Sequence, residues 1–299
     1  MVFKLLWYSI DTTQNGKQFY KIASIVNKIN IFNLGIPIFW CPKRIHMLEN
    51  VDIARVLFLD IETVSVVSSY EELSPPLQQL WQVKCRQILR KPAEEITEEI
   101  ATELFPEKAG IYAEFGKIVC ISVGVVRRNK SDKQLHVRLK SFANKDEKIL
   151  LTEFSELVEQ YYNNPNVHYF CGHNIKEFDI PYICRRLVIN QLPFPKPLQI
   201  AGKKPWETKH FLDTLEFWKF GDYKNYTSLK LLAAILDFPS PKDDIDGSEV
   251  GRVFWQEDEL DRIALYCEKD VLATVQLFLR YCRMPILEEE QVSHVGREE

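Results

Sequence analysis

The chain has 299 residues, 46% of them hydrophobic and 27% charged, with a net charge of −4. That length buries a full core, as one large domain or two small ones. The mild acidity excludes a protein that coats nucleic acid through bulk positive charge. It leaves room for an enzyme that grips a few nucleotides of one strand.

The first 46 residues differ from the rest, with Lys4, Lys17, Lys21, Lys28, Lys43 and Arg44 set against one acid, Asp11. They hold no secretory pattern: the apolar run after Lys4 is brief and no small-residue cleavage site follows. Ile29 to Cys41 is apolar but too short to span a bilayer, so no membrane partner is expected. Met47 stands just before the first predicted strand. Residues 1–46 are therefore read as a basic leader upstream of the natural protein, with a short basic accessory segment as the other reading. Residues 47–287 are expected to form one domain with a helical insertion at 65–115. Residues 288–299 read as a polar, frayed tail.

Cys41, Cys85, Cys120, Cys171, Cys184, Cys267 and Cys282 form no C-x-x-C pair. Scattered free thiols point to a reducing, cytoplasmic compartment, each cysteine serving as a small buried hydrophobe.

Arg55 to Leu59 is an apolar run before Asp60, the pattern of a buried central strand. Ser74-Pro75-Pro76 opens a helix predicted to reach about Arg90, and Ala93 to Phe105 forms an acid-rich second one. Its glutamates (Glu94, Glu95, Glu98, Glu99 and Glu103) read as a solvated face. Lys117 to Arg127 and Gln134 to Phe142 are predicted strands of one hairpin across residues 129–132. Glu147 to Tyr161 has a helical apolar stripe. Val167 to Cys171 reads as a buried strand and Phe178 to Leu187 as a helix. Phe211 to Phe217 reads as a strand or strand end, and Ser228 to Leu236 as a helix. Asp258 is the expected N-cap of a last helix reaching about Cys282. Strands alternating with helices after a starting hairpin predict an α/β fold with a mixed sheet.

Three acid motifs follow one another along this pattern. Asp60 and Glu62 are two apart on a strand and so project to one face. Asp179 stands at a helix start within Asn174-Ile175-Lys176-Glu177-Phe178-Asp179-Ile180-Pro181-Tyr182. Tyr266 and Asp270 are four apart on the last helix and share a face. Four acids meeting in a dry pocket repel strongly, and bound divalent metal is the usual resolution.

Asp60-Ile61-Glu62-Thr63, the Asn174–Tyr182 string and Tyr266-x-x-x-Asp270 together resemble the DEDD exonucleases of the ribonuclease H-like superfamily, tyrosine subclass. The likeness is to the proofreading exonuclease domain of family B DNA polymerases, over about residues 55–282, without palm or fingers. It implies a ribonuclease H-like mixed sheet flanked by helices. It also implies that Asp60, Glu62, Asp179 and Asp270 hold two Mg²⁺ or Mn²⁺ ions, with Asp60 bridging them. Tyr266, with an ordinary pKa of about 10, is a poor base and would orient the attacking water. Thr63, Asn174 and Phe178 would meet the strand end, although Phe178 equally suits core packing.

The implied activity is a 3′–5′ exonuclease that releases 5′-mononucleotides from single-stranded 3′ ends, with DNA favoured. An RNA-trimming enzyme of the superfamily and a non-catalytic nucleic-acid-binding module are the alternatives. Asp213 is a further acid at a strand end, suited to a supporting role. Lys224, Tyr226, Lys230 and Lys242 could serve phosphates but read more simply as a solvated face. His173 has no second histidine at ligand spacing and is not expected to bind metal.

Overall fold

The computed structural model describes Leu48 and residues 51–222, 226–239 and 245–296. The reading of residues 1–46, together with Lys224 and Lys242, falls outside them. Strand β1, Val56–Ser65, is buried along almost its whole length because it lies between two neighbours. After it come helices α1, Pro75–Leu89, and α2, Glu98–Lys108. Pro75 and Pro76 fix the entry to α1, and Arg90 closes it in the left-handed region. Tyr70, Trp81, Cys85, Phe105 and Phe115 give this insertion its own small core. Trp81 Nε1 donates to Ala101 O at 2.9 Å, so the buried indole loses no hydrogen bond. The glutamates of this segment are exposed, as a solvated face requires.

Strand β2, Gly116–Arg128, pairs antiparallel with β1 and with β3, Leu135–Ala143. Helix α3, Glu147–Tyr161, starts at the Asp146 cap, whose carboxylate accepts from Lys148 N. Strand β4, Tyr169–Gly172, is shorter than its apolar run suggests. Val167 belongs to a turn instead, because Asn164 O takes the N–H groups of Val167 and His168. Helix α4 spans Asp179–Ile189.

Strand β5 is only Phe211–Asp213. The expected continuation to Phe217 is helix α5, Thr214–Lys219, because the Asp213 carboxylate accepts from Leu215 N and Glu216 N and turns the chain. Helix α6 is Leu229–Leu236, capped by Ser228. Asp258 does not cap the last helix. A π-turn at Val253–Glu257 ends on Asp258 in the left-handed region (φ 60°), and helix α7, Leu260–Tyr281, begins after Glu259. The expected frayed tail instead adds strand β6, Val292–His294, parallel to β3.

The sheet order is β5-β4-β1-β2-β3-β6. Along β1 the alternation assigns each side chain to a layer. Leu57, Leu59 and Ile61 pack with Leu150 and Phe154 of α3 and Ile183 and Leu187 of α4. Val56 and Phe58 pack with Val271, Val275 and Phe278 of α7. Each fully buried side chain of this size contributes about 1.5–3 kcal/mol. Asp60 and Glu62 continue the even-numbered series, so the same alternation turns them toward α7.

Candidate metal centre

The strand and helix periods meet midway along β1, just past its last residue paired with β4. The sequence reading puts Asp60 and Glu62 at the end of this strand, but the strand runs on to Ser65 because β2 pairs with it that far. Ligand atoms of Asp60, Glu62 and Cys267 lie within 4.8 Å of one another. The bridge between β1 and β2 shifts register at Glu62/Thr63, where Glu62 faces Cys120 and Thr63 faces Ile118. A bulge of this kind re-aims side chains. Tyr266 and Asp270 are half-buried on α7. A Cβ added to Gly247 would stand 4.0 Å from the Tyr266 hydroxyl, so the chain before the π-turn closes that side.

Asp179 is 3% exposed, at the first residue of α4. The loop that delivers it is pinned from β5. The Asp213 carboxylate, 1% exposed, accepts from Asn174 N at 3.0 Å and from Lys176 N at 3.1 Å. Asn174 takes the left-handed conformation (φ 69°), which asparagine tolerates better than most residues. Its carbonyl accepts from Phe178 N at 3.0 Å, folding the turn that places the next residue, Asp179. Gly172 lets β4 pass close beside β1: a Cβ there would meet Ile175 Cβ at 2.8 Å and Leu59 O at 3.0 Å. Asp213 thus supports the site by positioning backbone. Its expected supporting role has a definite form that a sequence cannot display.

The electrostatics bind the four acids into one unit. Burial pushes the Asp60 carboxyl well above the carboxylate range, and Asp179, Asp270 and Glu62 each push it further. Glu62 is raised by burial, then by Asp270, Cys120 and Asp179. Asp179 is raised to about 7 by burial and Asp213, against hydrogen bonds from its own N–H and that of Ile61. Such shifts follow from oxygen donors crowded together and largely desolvated, and that donor set suits a hard divalent cation.

Cys267 carried no functional signal in the sequence. Its Sγ donates to Asp60 O at 3.4 Å and lies 3.6 Å from Asp60 Oδ2. Burial raises its pKa well above the ordinary thiol value, so it acts as a proton donor that orients Asp60.

The other sequence candidates separate. Thr63 is half-buried beside Tyr182, whose hydroxyl donates to Gly110 O at 2.9 Å. Phe178 is half-buried against the core, its ring 5.5 Å from that of Tyr182. His173 uses both ring nitrogens inside the protein, at 2.9 Å from Thr214 Oγ1 and 3.0 Å from Thr227 O. Lys230 is exposed on α6. Among the described residues, no helix is long and apolar enough to cross a membrane.

The six-stranded mixed sheet flanked by helices is an α/β fold, and it carries a mid-strand carboxylate pair, a helix-start acid and a Tyr/Asp helix face. The chain belongs to the family described as "predicted 3′-5′ exonuclease related to the exonuclease domain of PolB", matched over residues 111–294. The match takes in Asp179, Tyr266 and Asp270, and Asp60 and Glu62 lie before it. Among solved structures, the family B DNA polymerase of the hyperthermophilic archaeon Pyrobaculum calidifontis is similar at 14% identity and a TM-score of 0.44. That likeness covers 75% of this chain and 24% of the polymerase, so the chain spans about a quarter of its length. No curated protein matches the chain.

Proposed function

We propose that this chain is a metal-dependent 3′–5′ exonuclease of the tyrosine subclass that removes 5′-mononucleotides from single-stranded 3′ ends, DNA in preference to RNA. The observation that carries this reading is the convergence of Asp60 and Glu62, with ligand atoms within 4.8 Å of each other, and of Asp179 and Asp270 near enough to raise the Asp60 carboxyl further. Asp60, Glu62, Asp179 and Asp270 would hold two Mg²⁺ or Mn²⁺ ions. Bound there, the ions supply an activated water and neutralise charge on the leaving oxygen.

The chain's own residues do the rest. Cys267 and the Ile61 N–H fix Asp60 and Asp179 as acceptors. Tyr266, on the face that also presents Asp270, orients a water by hydrogen bond. Asn174, on the loop that delivers Asp179, would meet the terminal nucleotide. The acid mouth repels phosphate until cations are bound, which favours a frayed end over a duplex. The preference for DNA rests on the likeness to the polymerase branch, and the cytoplasmic assignment on the scattered free thiols. Residues 47–287 are proposed as the exonuclease domain, and expression from Met47 tests whether the leader is dispensable.

The deciding experiment incubates the protein with end-labelled single-stranded DNA and RNA, with and without Mg²⁺ or Mn²⁺. Stepwise shortening from the 3′ end only with the ions, faster on DNA, is the expected result. Faster shortening of RNA would move the assignment to an RNA-trimming enzyme. Uncut substrate in the presence of both ions would reject the reading. Tyr266→Phe slows release by about 10–100-fold and leaves measurable activity, the loss of one positioned hydrogen-bonding group.

A further inference from the structure

Tyr226, in the segment that leads into α6, is 65% exposed. A single exposed ring is ordinary, but this one is held in place. It packs edge-on against His173, with ring centroids 6.2 Å apart and planes at 71°. His173 is fixed in turn. Its Nε2–H donates to Thr227 O, the carbonyl next along the chain from Tyr226, while Nδ1 faces Thr214 Oγ1. The imidazole therefore ties this segment to the end of the sheet.

That end is the one carrying the acids. Strand β4 runs parallel to β1 with Cys171 opposite Phe58, and two residues further along each chain stand His173 and Asp60. The phenol also responds to the cluster: after partial desolvation, Asp60, Asp179, Asp213 and Asp270 all resist its ionisation. A neutral ring therefore stands within electrostatic reach of the acids.

We propose that Tyr226 is a substrate-binding residue whose ring stacks on the base of the 3′-terminal nucleotide; the inference rests on the nuclease reading above. A site ringed by carboxylates holds the phosphate poorly, whereas every base has a π-face that an uncharged ring attracts regardless of sequence. Phe178, the other aromatic residue expected to meet the strand end, is half-buried and packed on Tyr182, so its faces are less available.

The test measures fluorescence anisotropy of single-stranded DNA in Ca²⁺, with the 3′-terminal nucleotide either intact or abasic. Wild type binds the abasic end about tenfold or more weakly than the intact one. Tyr226→Ala weakens the intact end by a similar factor and leaves the abasic end unchanged. Tyr226→Phe, which keeps the ring, binds as wild type does. In turnover with Mg²⁺, Tyr226→Ala raises KM and leaves kcat close to wild type. Equal weakening of both ends, or of neither, would overturn the assignment. Release of nucleotides by wild type is scored separately. Its absence counts against the nuclease reading, whereas release with no difference between intact and abasic ends counts against Tyr226 alone. Failure of wild type to bind either DNA would reject both.

Discussion

Two buried charged sites lie on opposite faces of the same strand pair and have opposite chemistry. On one face, Glu147 meets Arg186 in a closed network. Glu147 Oε1 accepts from Ile118 N at 2.7 Å and Arg186 Nε at 2.8 Å, and Oε2 accepts from Arg186 Nη2 and Asn190 Nδ2. Arg186 Nη1 donates onward to Ala113 O at 2.8 Å. On the other face, Asp60 is raised by burial and by Asp179, Asp270 and Glu62, and Glu62 by burial and by Asp270, Cys120 and Asp179. The first site spends its charge on holding α3, α4 and β2 together. The second crowds acids together, which costs stability and suits the binding of cations.

The largest effect that would break this contrast is at Asp60. Asp60→Asn keeps the shape and removes one charge. Nucleotide release falls about 10³-fold or more, since several kcal/mol of transition-state stabilisation go with the ligand. Metal-free stability moves the other way, rising by about 1–3 kcal/mol as repulsion is relieved. Activity assays and metal-free melting read the two signs. A variant that loses both activity and stability would make Asp60 a structural acid like Glu147.

Glu147→Ala supplies the opposite pole. It strands the Arg186 guanidinium and the Ile118 N–H in a dry interior, which costs about 3–5 kcal/mol. Urea unfolding measures the loss. Activity per folded molecule should stay near wild type. A change below about 1 kcal/mol would show that the network is worth no more than a surface pair.

The unequal legibility of these two sites follows from their geometry. Asp60/Glu62 and Tyr266/Asp270 are paired by the strand and helix periods, so neighbouring residues already announce a shared face. Glu147 and Arg186 are 39 residues apart and carry no local period that links them. Asp213 announces itself as an acid at a strand end, but the amides it holds belong to another loop. The apolar run before Gly172 marks a strand, yet the Asn164 turn takes its first residues. Asp258 bears a helix-start signal, and the preceding π-turn puts its backbone where no N-cap sits. Strand β6 has only three residues in a polar stretch. Its pairing comes from β3 and from Val292 packing on the core, which local composition does not reveal.

The acid cluster also predicts a pH dependence. Asp179 sits near 3.8 in its ordinary state and is raised to about 7 in the fold. A raised acid contributes its full stability below the unfolded value and loses it as pH climbs through the folded one. Metal-free protein should therefore lose on the order of 1–3 kcal/mol between about pH 4 and pH 7. Added Mg²⁺ or Mn²⁺ restores it, more at pH 8 than at pH 5, because ligands must be deprotonated to bind. Calorimetry over this range, with and without ion, gives both slopes. A flat metal-free curve would mean that burial and Asp213 do not hold Asp179 above its ordinary value.

The smallest effect concerns another buried acid, Glu268, which shares α7 with Tyr266 and Asp270 but is 1% exposed and partnered. Ser141 Oγ donates to its Oε1 at 2.7 Å, and His294 Nδ1 lies 2.5 Å from its Oε2. His294 comes from β6, so the tail's short strand supplies part of the environment of a carboxylate on the functional helix. His294→Ala should cost about 1–2 kcal/mol, the range of a hydrogen bond to a charged group, less than a fully buried pair because the ring is partly exposed. His294→Gln, whose amide can still donate, should recover part of that loss. Thermal melting of the two variants, beside Glu147→Ala, ranks Glu268 and Glu147 by how completely each is satisfied. A His294→Ala variant as stable as wild type would show that Glu268 relies on Ser141 and its other contacts, and that β6 adds length to the sheet without holding this helix.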